Sequence, residues 1–173
     1  MIWVMTRWLT DREQQAWRAY LDMHARLTAQ LNRELQGACG LSLADFAVLV
    51  QLSEHGCTMR VLELARALGW EKSRLSHQLS RMQQRGLLDR AGCASDRRGA
   101  FIHLTEHGRA TIEAAAPRHV EAVRGYLFDH LTPGQVDELA GIATAVLQRL
   151  DQACADNGSA AGDDLCGPAA EGP

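Results

Sequence analysis

Leu62-Glu-Leu-Ala-Arg-Ala-Leu-Gly-Trp-Glu-Lys-Ser-Arg-Leu-Ser-His-Gln-Leu-Ser-Arg-Met-Gln-Gln-Arg-Gly-Leu-Leu-Asp-Arg90 contains two short amphipathic helices joined across a glycine. In the first, from about Arg60 to Leu68, Val61, Leu64, Ala65 and Leu68 recur at helical spacing. Gly69 then offers a residue tolerant of positive φ for a tight turn. The second helix runs from about Glu71 to Gln84, and Gly86 stops it. Leu75, Leu79 and Met82 share one face, while Ser73, Arg74, His77, Gln78 and Arg81 lie elsewhere on its circumference. A second helix that buries one stripe and keeps a polar stripe free is what a helix-turn-helix needs to enter a major groove. The amides at the start of each helix can hold phosphates. The same pattern also reads as an ordinary amphipathic helix with a solvated basic face.

The residues that follow favour the first reading. Leu87–Arg90 and Ala100–Leu104 have the character of two short strands, joined by the polar, basic loop Ala91–Gly99. A basic hairpin directly behind a reading helix forms a wing, and its arginines Arg97 and Arg98 suit the negative potential of a narrow minor groove. Net charge is −3, yet Glu71 to Arg98 holds seven basic residues, Lys72 among them, against three acids, and no Lys or Arg follows Arg149. A positive middle and an acidic end suit a protein that turns one face to a polyanion.

Helices extend on both sides. Thr10-Asp-Arg-Glu13 reads as a capping box, and Trp17, Tyr20, Leu21, His24, Leu27, Leu31 and Leu35 follow at helical spacing until Gly37 and Gly40. Ser42 to His55 forms another helix with Phe46, Leu49 and Leu52 buried. A fifth starts at Thr105 and continues through a perturbation at Pro117 to about His130. Thr132-Pro-Gly-Gln135 starts a sixth, striped by Val136, Leu139, Ile142, Ala143, Val146, Leu147 and Leu150. From Ala153 the composition turns to Gly, Ala, Asp and Pro, and an acidic tail without order is expected over residues 153–173.

The ordered set of features resembles the MarR family of bacterial transcription regulators over roughly Thr10 to Asp151. Residues Leu62 to Arg90 carry the likeness, continued by Asp96-Arg-Arg-Gly-Ala-Phe-Ile-His-Leu-Thr105 with Gly108 close behind. The resemblance implies a mainly α fold with a small β-hairpin wing. The winged helix-turn-helix DNA-binding domain would span 37–104, between dimerisation helices at 10–36 and 105–152. It places Ser73, Ser76 and His77 on the recognition helix against DNA, makes Arg98 the wing arginine in the minor groove, and makes Asp96 the acid that orients it. His77 stands where many relatives carry arginine; histidine reaches less far, so Arg74 shares the reading. Double-stranded DNA and a second copy of the chain are the partners so implied, and a small-molecule effector is a further candidate. Trp17, Tyr20 and His24 are candidates for lining an effector pocket, although Trp17 and Tyr20 equally suit a dimer interface.

Other chemistry is weakly represented. No paired carboxylates, phosphate-binding glycine loop or serine elbow appears, so an enzyme is not expected. No cofactor or metal is expected either. His103 and His107 fall on a strand and on the next helix, and His24 lies between apolar turns of the first helix. The five cysteines form no Cys-x-x-Cys pair and are odd in number, consistent with reduced thiols in the cytoplasm. Cys93, on the basic wing, is the one thiol with surroundings that suit a redox sensor, but it has no resolving partner. The apolar start Met1–Leu9 is too short and interrupted for a signal peptide, and no stretch has the length of a membrane span. Two alternatives remain beside the operator-binding homodimer: a thiol- or metal-responsive sensor, and a winged-helix interaction protein that has lost DNA binding.

Overall fold

The computed structural model describes the backbone of residues 7–93 and 96–160, and the side chains of residues 7–90 and 101–153. Thr10 starts helix α1, Asp11–Cys39, by the expected capping box: its hydroxyl accepts from the Glu13 amide and its own amide donates to the Glu13 carboxylate at 2.8 Å. The Thr10 amide first, and its hydroxyl second, hold the Glu13 carboxyl below the usual range. Gly37 stays within the helix, and Gly40, at φ 63°, ends it. Ser42 and Asp45 form a second capping box at the start of α2, Leu43–Glu54.

Between α2 and α3 lies a strand that periodicity did not reveal. The strand β1, Thr58–Arg60, is three residues long, too short to show an alternation. It pairs antiparallel with β3, Thr58 opposite His103 and Arg60 opposite Phe101. Helix α3, Val61–Leu68, and helix α4, Lys72–Gln84, follow as expected. The hairpin strands β2, Leu88–Cys93, and β3, Asp96–Leu104, run well into the segment read as loop. Their ladder extends out to Cys93 opposite Asp96, with an irregularity between Gly92 and Cys93, and the sheet order is β1-β3-β2.

Thr105 joins the wing to α5, Glu106–Tyr126. Its hydroxyl donates to the Gly86 carbonyl at 2.7 Å and accepts from the Gly108 amide at 2.9 Å. Helix α5 carries Pro117 inside it and stops at Tyr126, earlier than the His130 expected; Phe128–His130 form a short 3-10 turn. The chain divides at this point into two units. In the first, Leu35 of α1, Leu49 and Leu52 of α2, Leu64 of α3, Leu75 and Met82 of α4, Leu88 of β2, Ile102 of β3 and Ile112 of α5 meet in one core. The second contains α6, Pro133–Ala160, started by the expected Thr132–Gln135 box. Helix α6 passes through residues 153–160, which were expected to lack order. Alanines at positions 153, 155 and 160 favour the helix, against the weaker helix formers Asp156, Asn157, Gly158 and Ser159 between them. Residues 161–173 lie outside those described. Among the described residues no single helix is long and apolar enough to cross a membrane.

Candidate nucleic-acid interface

The turn between α3 and α4 is built on Gly69 at φ 62°, which lets the Trp70 amide reach back to the Ala65 carbonyl at 2.9 Å. Trp70 is half-buried against the core, and Arg74, one turn into α4, lies with its guanidinium carbon 4.4 Å from the indole centroid. The N-cap residue Glu71 makes no side-chain cap, so the first amides of α4 face outward without an internal acceptor. Leu75, Leu79 and Met82 are buried, as the apolar stripe requires.

The polar residues of α4 divide into two groups. Lys72, Ser73, Arg74, His77 and Arg81 are exposed, and Ser76 is half-buried. Ser80, three residues beyond His77, shares the exposed face and was missed although the helical repeat marks it. Gln78 does not join them: it is buried, and its amide donates to the buried Asp45 carboxylate of α2. Polarity alone assigned it to the outer stripe; a carboxylate 33 residues upstream satisfies its NH2 and Arg81 its oxygen, which is what lets it be buried. Arg85, a basic residue that could pass for a solvated charge, is also committed inward. It pairs with Asp45 at 2.9 Å and donates to the Gly40 carbonyl at 2.8 Å.

Asp96, Arg97 and Arg98 lie in β3 at the turn end of the hairpin, where Asp96 is opposite Cys93. Their side chains, and that of Cys93, lie outside the described residues. Behind the wing, Thr58 bonds His103 Nδ1 at 2.9 Å across the β1–β3 pair. Among the described residues no three His, Cys, Asp or Glu side chains gather as metal ligands would.

Several cavities flank α1. One, of about 600 Å³, is lined by His24, Thr28 and Asn32 of α1, by Leu43 of α2, and by Trp70 and Arg74. Trp17 and Tyr20 do not reach it. They stack on each other at 5.6 Å, and Tyr20 stacks on His24 at 6.0 Å, along the outside of the helix. A second cavity, of about 450 Å³, lies between α1 and α5 and is lined by Glu34, Arg118, His119 and Tyr126. Burial pushes the His119 imidazole below its ordinary range; its Nδ1 is buried with no partner among the described residues, 4.4 Å separating its ring centroid from that of Phe46.

Residues 40–99 match the MarR family model. AbsC, a MarR family transcriptional regulator from Streptomyces coelicolor, is 45% identical, the match covering 85% of this chain and 99% of that one with a TM-score of 0.79. Sco3205, a MarR family transcriptional regulator from the same organism solved in complex with DNA, is 38% identical over 85% of this chain and 92% of that one, with a TM-score of 0.81. The transcriptional repressor MprA of Escherichia coli strain K12 is 27% identical over 136 residues, 78% of this chain and 76% of that protein. With an exposed polar helix face, a hairpin behind it and these likenesses, the chain belongs to the MarR family of DNA-binding transcription regulators.

Proposed function

We propose that this regulator is a homodimeric repressor that holds a near-palindromic operator through α4 and the wing and is released by a small molecule. The observation that carries the DNA-reading surface is the division of α4 into a buried Leu75–Leu79–Met82 stripe and an exposed Lys72–Ser73–Arg74–His77–Arg81 face. Residues near the start of such a helix reach base edges first, so Ser73, Arg74 and His77 are assigned to the bases, with Ser76 beside them. Lys72, Arg81 and the free amides of α4 are assigned to phosphates. Arg98, held by Asp96, is assigned to the minor groove, and Arg97 to its rim. Gln78 takes no part in direct contact.

A dimer is supported by apolar side chains that stand in solvent in each unit: Trp17, Tyr20 and Leu21 on α1, and Ile142, Val146, Leu147 and Leu150 on α6, each about half exposed. On this reading residues 10–36 and 105–152 form the dimerisation region and 37–104 the DNA-binding domain. The sign of regulation follows the likeness to MprA, a repressor. A small-molecule response is supported by the cavity in which His24 and Asn32 face Trp70 and Arg74, since an occupant there would touch a DNA-reading arginine. The protein then works in the cytoplasm, where its DNA is.

The test is selection of bound genomic fragments followed by footprinting. Two protected half-sites about 10 base pairs apart, centre to centre, are expected from two recognition helices entering successive major grooves. A single asymmetric half-site would overturn the dimeric reading.

A further inference from the structure

We propose that Asp45, a buried residue of α2, positions Arg81 for DNA through Gln78. This rests on the assignment of Arg81 to the DNA face. Asp45 is 5% exposed, and both of its oxygens accept hydrogen bonds. Oδ2 accepts from the Ser42 amide and hydroxyl, each at 2.8 Å, and from Arg85 at 2.9 Å. Oδ1 accepts from the Gln78 side-chain amide, and Gln78 Oε1 accepts from Arg81 Nη2.

The chemistry gives this chain a direction. An ionised carboxylate only accepts hydrogen bonds, so Gln78 must turn its NH2 inward, and its carbonyl oxygen is thereby turned outward. An outward carbonyl is an acceptor for a guanidinium, which only donates. Were the amide reversed, Gln78 would offer a donor to Arg81 and hold nothing. The buried charge of Asp45 thus decides where an exposed arginine points, and the arginine meets DNA with its orientation already set. The same carboxylate ties the start of α2 to the middle of α4 and, through Arg85, to its end.

The experiment titrates the full-length chain and its variants against the selected operator fragment by fluorescence anisotropy at two salt concentrations, with melting temperature as the measure of folding. Arg81→Ala should weaken binding roughly tenfold and lower the salt slope by about one. Asp45→Asn introduces an amide whose NH2 lets Gln78 reverse; it should reproduce most of that loss. Arg81→Ala added to Asp45→Asn should then cost less than about twofold more, because coupled residues are not additive. Adding Gln78→Glu to Asp45→Asn should restore affinity, since the introduced carboxylate accepts from the introduced amide and from Arg81 together. Gln78→Met leaves the Ser42 cap and the Arg85 pair intact and should show the Arg81→Ala defect; it carries the test if Asp45→Asn does not fold. Additive losses with no restoration would overturn the proposal. So would a loss on Arg81→Ala that Gln78→Met does not share, although Arg81 would then keep its place on DNA. If Arg81→Ala binds as the wild type does, Arg81 makes no DNA contact and the proposal falls with that assignment.

Discussion

A methyl group at position 108 would stand 2.0 Å from the Leu87 carbonyl oxygen, closer than any real contact. Gly108 is therefore the place where the first turn of α5 presses against Leu87 and Leu104 at the base of the wing. Gly108→Ala must push these elements apart, and a loss of about 1–3 kcal/mol is expected, measured by urea unfolding. His119 makes a different kind of demand. Its folded pKa is depressed by burial, so above its unfolded value of about 6.5 the ring is neutral in both states and costs nothing. As pH falls below that value the unfolded chain takes the proton first, and stability declines until the folded pKa is passed. His119→Phe should flatten this part of the dependence, visible as a smaller drop in Tm between about pH 7.5 and 5.5. Gln78 shows where reading by residue type stops. Its polarity was legible, but its burial depends on Asp45, 33 residues away, as well as on Arg81 of its own helix.

Elements with strong local signals were legible to within a few residues. Thr10–Glu13 and Thr132–Gln135 each close the capping box their spacing suggests, and the buried stripe of α4 is the one its periodicity shows. Legibility failed where stability comes from a distant partner. The strand β1 has three residues and exists because β3 offers it a ladder. The wing strands lengthened into the basic loop for the same reason: pairing across the hairpin continues past the last apolar residue. The ladder brings Asp96 to the turn, so Arg98 is two residues along β3 from the tip. Arg98→Ala should weaken operator binding more than Arg90→Ala, and it should flatten the preference for A·T pairs in the flanks. Arg90, exposed on β2, should change only the salt slope, by about one unit at most. Arg85 cannot serve as the comparison, because its removal would strip Asp45 of its counter-charge. Titration against operator and flank-substituted DNA checks both. Equal losses with unchanged flank preference would remove Arg98 from the minor groove.

On the dimeric reading, the regulator depends on surfaces that one chain leaves uncovered. Leu147 is 58% exposed and Ile142 is 64% exposed on α6, values foreign to a helix finished with its partners. Leu147→Glu should shift the protein to monomers at micromolar concentration by light scattering, and operator affinity should fall with it, because one half-site alone cannot hold what two do. A variant that stays dimeric would move the interface elsewhere.

The stacking of Arg74 on Trp70 places a charge directly over a fluorescent ring, so the ring is suited to serve as a built-in probe of where Arg74 lies. The chain has four tryptophans, and replacing Trp3, Trp8 and Trp17 by phenylalanine leaves a single indole under the guanidinium. If Arg74 reads DNA as proposed, the emission of that indole is expected to change when the guanidinium leaves the ring for a base or a phosphate. On that reading, operator binding becomes measurable in real time as a change in intrinsic ultraviolet fluorescence, with no dye attached to either molecule.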